Sequence, residues 1–265
     1  EITYGDWSSD VCSSDLVVRM IPIGPERPPR LKAEALPLKR RVPSLYAKAL
    51  VAILTISASS LPTPILASAH ADTFQSATEA LGQLPVKGRA PKTGYSREAF
   101  GPQWSDVDRN GCDTRNDILK RDLSKVTYKT GTRNCVVLSG ILSDMYSGEQ
   151  IPFLRGETTS ALIQIDHVVA LSNAWQTGAF SLSLKVRTAL ANDPLNLLAV
   201  KGVLNSQKSD GDAATWLPPN KSYRCDYVAR QIAVKKKYGL WVTAPERDAM
   251  VRILAKCPEQ TIALG

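Results

Sequence analysis

Two histidines, His70 and His167, occur in the 265 residues, and His167 stands beside a carboxylate in Ile165-Asp166-His167-Val168-Val169. An imidazole with an ordinary pKa near 6.5 exchanges protons with water around neutral pH, which suits it to general acid–base work. A carboxylate beside it offers hard oxygen to a divalent cation. An Asp-His pair alone is common, and a lone histidine is ordinarily a hydrogen-bonded structural residue. Here the order of the surrounding segments says more. The pair closes an apolar, β-branched run over residues 161–169, and Asn196 follows 29 residues after His167 in a second apolar run, Pro194-Leu195-Asn196-Leu197-Leu198. Nine residues further on begins Asn205-Ser206-Gln207-Lys208-Ser209-Asp210.

In this order the segments resemble the HNH endonucleases, which carry a ββα-metal motif, and in particular the secreted bacterial HNH-endonuclease-like proteins. The strings GCDTRNDIL, DHVVAL, NDPLNLLAV, DAATWLPPN and YGLWVT carry the likeness, which runs through nearly all of residues 85–257. The N-x-x-K-S-D segment is also similar to the HNH domain of RNA-guided CRISPR nucleases, over that stretch alone. Lys201 departs from the pattern, since an acidic residue is expected there, and this alters the electrostatics near the site.

The resemblance implies hydrolysis of phosphodiester bonds. That reaction needs an activated water, a charge sink for the phosphoryl oxygens and help for the departing 3′-oxygen. It assigns His167 as general base, with Asp166 and the Asn205 amide oxygen as ligands to Mg²⁺ or Mn²⁺. Neighbouring residues of an extended chain point to opposite sides, so Asp166 and His167 could serve one phosphate only if the strand breaks after Asp166; the resemblance implies such a loop. Asn196 would hold that loop by amide hydrogen bonds, or be a simple strand-end asparagine. Lys208 is a candidate phosphate contact, or a solvated surface lysine. Asp210 could cap a following helix. Arg115, in the CDTRND string, either touches phosphate or pairs with a carboxylate.

The elements that must position these groups belong to a chain with 43% hydrophobic and 22% charged residues, which excludes a disordered tail, a collagen-like repeat and a polytopic membrane protein. A formal charge of +8 favours acidic partners, nucleic acid first. Residues 1–16 resemble a translated sequencing adapter and are excluded, Cys12 with them. Residues 20–71 read as a secretory signal with a long basic leader: Lys39, Arg40, Arg41 and Lys48 precede an uncharged stretch that exits through Ala69-His70-Ala71, with cleavage before Asp72. A membrane anchor is the rival, against which Pro62 and Pro64 argue. The mature chain, residues 72–265, would be a secreted monomer with a formal charge of +6 and no membrane contact after cleavage, and is long enough to bury its own core. Its four cysteines suggest two disulfides, Cys112–Cys135 and Cys225–Cys257, each joining sequence neighbours; with no C-x-x-C, zinc is the weaker reading.

The pattern predicts one α+β domain containing the ββα-metal core, with added helices. Short helices are expected over residues 72–84 and 116–123, and strands over 126–128, 136–142, 151–153 and 161–169. A helix follows over 172–191, a buried strand over 195–200 and a short helix from Gly202. Helical spacing returns over 227–238, and Thr243-Ala244-Pro245-Glu246 is a capping box before the last helix. Asp106, Asp108, Asn110 and Asp117 hold positions one, three, five and twelve of an EF-hand-like count with Gly111 at six. Position twelve is Asp rather than Glu and no entering helix precedes it, so a turn stapled by Cys112 competes with bound Ca²⁺. Lys235-Lys236-Lys237 reads as a track for DNA backbone or a solvated helix face. Trp175, Trp216 and Trp241 read as packing residues. No Walker motif or G-x-S-x-G elbow is present. The leading expectation is a secreted nuclease of low sequence specificity acting on extracellular DNA, with RNA as a second candidate substrate. The alternative is a non-catalytic exported binding module, with calcium as its candidate ligand.

Overall fold

In the computed structural model, which describes residues 75–262, the apolar runs form two separate antiparallel sheets. The expectations for residues 1–16 and for the leader and signal at 20–71 lie outside the described residues. Strands β1 (Leu123–Tyr128), β2 (Val137–Ser143) and β3 (Gln150–Leu154) make a meander in that order. The turn between β2 and β3 is closed by the Gly148 amide donating to the Asp144 carbonyl (2.8 Å) and the Ser147 hydroxyl donating to the Asp144 carboxylate (2.6 Å). Strands β4 (Ile163–His167) and β5 (Leu197–Lys201) pair in unbroken register, from Ile163 opposite Lys201 to His167 opposite Leu197.

Seven α-helices complete the described residues: α1 (Ala77–Gln83), α2 (Thr114–Asp122), α3 (Leu171–Gln176), α4 (Leu184–Ala191), α5 (Gly202–Lys208), α6 (Arg224–Lys237) and α7 (Ala244–Leu254). Helix α5 starts at the residue after β5. A Cβ on Gly202 would lie 2.1 Å from the Ala161 carbonyl oxygen, so glycine alone allows this strand-to-helix approach. The single helix expected over 172–191 is two, α3 and α4. Gly178, at φ 128°, takes a backbone conformation that other residues rarely adopt, and the Ser183 hydroxyl then caps a fresh helix by accepting from the Val186 amide. The capping box of α7 forms as written, with the Glu246 amide donating to Thr243 Oγ1 and the Thr243 amide donating to the Glu246 carboxylate.

The β4–β5 pair is buried on both faces. Ile163, Ile165, Leu197 and Ala199 pack with α2 and the three-stranded sheet through Ile118, Leu119 and Phe153. Leu198 and Val200 pack on the other face with Leu204, Tyr227 and Ile232. The period of two therefore places Gln164 and Asp166 toward the α5 side and His167 with the isoleucines. Regular pairing runs through Asp166 and His167 alike, so the break expected between them is not there: the strand ends after the histidine.

The basic run on α6 is neither a uniform solvated face nor an open cationic track. Lys235 is fully buried and paired with Glu246 (2.8 Å), Lys237 pairs with Asp193 (2.8 Å), and Lys236 donates to Gln83 (2.9 Å) and Gln75. Both disulfides form in the expected pairing, Cys112–Cys135 and Cys225–Cys257. The second closes a separation of 32 residues and ties the start of α6 to the chain beyond α7. Replacing Cys225 and Cys257 together with alanine is expected to cost about 2–4 kcal/mol in urea unfolding, chiefly by freeing the unfolded chain. A loss within about 0.5 kcal/mol, the scatter of surface substitutions, would show that the crosslink restrains nothing.

Candidate functional site

The α5-facing side of β4 carries a buried ionic cluster. Asp166 is 4% exposed, and each of its carboxylate oxygens accepts a hydrogen bond. Lys208 Nζ donates to Oδ1 (2.9 Å) and to the His167 backbone carbonyl (2.8 Å). The Tyr146 hydroxyl donates to Oδ2. Tyr146 is fully buried beside Trp216, Tyr223 and Tyr227; burial, then the Asp166 charge, push its pKa well up, so the phenol stays protonated as a donor. Two residues earlier on the same face, Gln164 Oε1 accepts from Asn205 Nδ2 (2.8 Å). Asn205 and Lys208 are three apart on α5, so one helix face delivers both to this side of the strand.

His167 occupies the other side. Its Nε2 lies 2.8 Å from the Ala191 carbonyl oxygen. A carbonyl only accepts, so Nε2 carries the hydrogen and the lone pair of the neutral ring is on Nδ1. The Trp104 indole stacks over the imidazole, ring centroids 6.3 Å apart and planes within 10°. Burial pulls the His167 pKa down from 6.5 to about 3, against the pull of the Ala191 carbonyl, and the positive charges of Arg97 and Lys208 add to the lowering.

That shift has a signed consequence for stability. The unfolded chain takes up a proton near pH 6.5, whereas the folded ring refuses it until about pH 3. Between these values the unfolded state binds more protons, so the stabilisation is complete above about 6.5 and is lost as the pH falls toward 3. Thermal melts in EDTA are expected to show Tm falling with acidification in this window, as stability drops by up to about 1.4 kcal/mol per pH unit from this one group. His167→Gln is expected to flatten that slope; an unchanged slope in the variant would contradict the assignment.

Asn196 is fully buried and ties the end of β4 to the start of β5. Its Oδ1 accepts from the Val169 amide (2.8 Å) and its Nδ2 donates to the Val169 carbonyl (3.3 Å), while its backbone carbonyl accepts from the Val168 amide (2.8 Å). Two arginines hold the same loop from outside. Arg121 of α2 donates to the carbonyls of Pro194 (2.7 Å) and Leu197 (2.7 Å). Arg230 of α6 donates to those of Pro194, Leu195 and Leu197. Neither arginine, nor Tyr146, nor Trp104 was identified from sequence, because each acts on a partner far along the chain and no local spacing marks it.

The donors at Asp166 fit a cation. Oδ1 and the His167 carbonyl converge on one positive point, the Lys208 ammonium, and hard oxygens of this kind also suit a divalent ion. Among the described residues, no three His, Cys, Asp or Glu side chains gather as a metal-binding group. A divalent ion here would therefore draw on carbonyl and carboxamide oxygens, Asn205 included. Lys208 itself, 2% exposed, is a buried partner of Asp166 rather than a surface lysine, and Arg115 is buried in α2. Asp210 pairs with Lys92 (2.7 Å) and accepts from the Ser172 hydroxyl (3.1 Å) instead of capping a helix. Lys201, the departure from the family pattern, pairs with Glu149 (2.6 Å). In the Asp106–Asp117 loop, the Asn110 amide nitrogen donates to Asp108 (2.9 Å) and Asp117 (3.1 Å), and Asp106 accepts from the Asn110 and Gly111 amides. Burial, then the charges of Asp108, Asp113 and Asp106, raise the Asp117 pKa against the Asn110 hydrogen bond.

Residues 113–253 match the family described as GmrSD restriction endonucleases, C-terminal domain. The chain is also 33% identical over 210 residues to an uncharacterized secreted protein of Arthroderma benhamiae, a match covering 78% of this chain and 98% of that relative. No solved structure matches the chain. Among the described residues no helix is long and apolar enough to cross a membrane.

Proposed function

Because this chain belongs to the family of GmrSD restriction endonuclease C-terminal domains, we propose that it is a secreted, metal-dependent nuclease that cleaves phosphodiester bonds of DNA, with RNA as a second candidate substrate, and with little sequence preference. The observation that carries this reading is the order of elements around Asp166 and His167. An antiparallel pair, β4 and β5, leads without a linker into α5, Asn196 pins the connection, and α5 returns Asn205 and Lys208 to the β4 face that bears Asp166. This is the β-β-α order that the HNH resemblance implies. The finer assignment, to the secreted bacterial HNH group with a ββα-metal core, is part of the same proposal. Two disulfides and a secreted relative support export, which agrees with cleavage of a signal before Asp72.

In this reading His167 takes the proton from the attacking water once the end of β4 opens, because the unbroken strand holds its ring on the face opposite Asp166. The ring is held by the Ala191 carbonyl and stays neutral across the physiological range, the protonation state a base requires. An anionic phosphodiester beside the ring favours the imidazolium and raises the pKa toward the working range of a base. A Mg²⁺ or Mn²⁺ ion held by Asp166 and Asn205 would supply positive charge to the phosphoryl oxygens and the departing 3′-oxygen. Asn196 positions the loop and touches no substrate. Arg115 would assist phosphate binding only indirectly, through α2. Supercoiled plasmid mixed with the purified chain and Mg²⁺ is expected to be nicked, and EDTA is expected to stop it. Plasmid left intact across Mg²⁺, Mn²⁺ and Ca²⁺ would overturn the proposal.

One observation favours the second reading, a non-catalytic exported module that binds calcium. Asp106, Asp108, Asn110 and Asp117 converge within hydrogen-bonding reach of one another, as loop ligands would. Under that reading Ca²⁺ raises Tm by mass action while plasmid stays intact.

A further inference from the structure

Lys208 has an unusual place for a lysine. Its side chain is 0% exposed, and its ammonium sits on Asp166 Oδ1 (2.9 Å) and the His167 carbonyl (2.8 Å), two hard oxygens that converge on one point. The residue is also the last of α5, at a joint. Ser209, next in the chain, has φ 49° and ψ −126°, a backbone conformation that side chains rarely adopt, and strain of this kind collects at parts that move. Asp210 is tethered to Lys92 and Ser172, so the loop beyond the joint is anchored on its far side.

We propose that Lys208 is a built-in competitor of the catalytic metal. In the metal-free protein its ammonium occupies the cation position on Asp166, and a divalent ion binds only as that ammonium withdraws. A monovalent and a divalent cation cannot share one carboxylate oxygen in a buried site without strong repulsion. The resting protein therefore keeps Asp166 neutralised and its fold closed, and metal entry frees Lys208 to meet a substrate phosphate. Tyr146 keeps its hydrogen bond to Oδ2 in both states and so aims the carboxylate. This inference rests on the nuclease reading above and adds the step by which the site is opened.

The test is Mn²⁺ binding to the full chain, followed by electron paramagnetic resonance of free Mn²⁺. Lys208→Gln, which removes the charge and keeps a donor, is expected to tighten binding at least about tenfold, and Asp166→Asn is expected to abolish it. Lysine labelling of the wild type, read by mass spectrometry, covers the case in which Lys208→Gln does not fold. Lys208 is expected to be protected without metal and labelled with saturating Mn²⁺. Lys235, fully buried, should stay protected throughout, and the exposed Lys92 should react throughout. Unchanged or weaker Mn²⁺ affinity in a folded Lys208→Gln protein, or a Lys208 that stays protected with metal bound, would overturn the competitor role while leaving metal-dependent nicking intact. A wild type that neither binds Mn²⁺ nor nicks plasmid would remove both the competitor role and the nuclease reading.

Discussion

Alanine at position 167 is expected to lower plasmid nicking by about 10²–10⁴-fold, the range that a positioned general base contributes. With the proposed cleavage before Asp72, His70 would leave and no second imidazole would remain to take over. The structure also predicts a change that the sequence pattern did not: the substitution destabilises the fold. The ring is fully packed, and its loss leaves the Ala191 carbonyl without a donor, at about 1–3 kcal/mol, together with a cavity under Trp104. The two effects separate by magnitude. A domain holding about 5–15 kcal/mol stays almost entirely folded after a loss of about 3, so unfolding at 25 °C cannot account for a hundredfold fall in rate. His167→Gln, which can keep an amide donor near Ala191, should recover stability and not activity. Nicking within threefold of wild type in either variant would remove His167 from the chemistry.

The second large effect is on the fold. Lys235→Ala is expected to cost about 3–5 kcal/mol, because it strands the Glu246 carboxylate in a site with no exposure. For a domain of this length that corresponds to a Tm lower by about 6–20 °C. The ammonium also donates to Asn173 Oδ1 (3.2 Å) and the Trp241 carbonyl (3.0 Å), so two further segments lose an anchor. Glu246 meanwhile caps α7, and burial raises its pKa against the pull of Lys235, whose own pKa burial lowers. Replacing both partners together with leucine and methionine should restore much of the loss, as paired removal leaves no orphaned charge. Lys236→Ala and Lys237→Ala, at exposed or partly exposed pairs, should cost no more than about 1 kcal/mol each. Equal losses at all three lysines would contradict the buried-pair account.

Local patterns carried much of the architecture. The capping box at Thr243, the apolar runs that became β4 and β5, and the pairing of near-neighbour cysteines are short-range signals, and each has its counterpart in the fold. The apolar spacing predicts one helix over 172–191 because it persists across Gly178, whose positive φ separates α3 from α4. At the site, the alternation of strand residues already separated Asp166 from His167, and the unbroken β4 keeps them on opposite faces. What stayed hidden are contacts between distant segments. Tyr146 reaches Asp166 across 20 residues, Arg121 and Arg230 reach the Pro194–Leu197 carbonyls, and Lys235 leaves a run of three identical residues to enter the core. A run of charges reports composition, whereas the helical phase of each member decides which one is buried.

The most direct test of the account is to locate the ion. Crystals of the purified chain soaked in Mn²⁺, with diffraction recorded at the manganese edge, are predicted to give an anomalous peak within bonding distance of the Asp166 carboxylate and the Asn205 side chain, with Lys208 moved off Asp166. A peak confined to the Asp106–Asp117 loop, with the Lys208 ammonium still seated on Asp166, would contradict it.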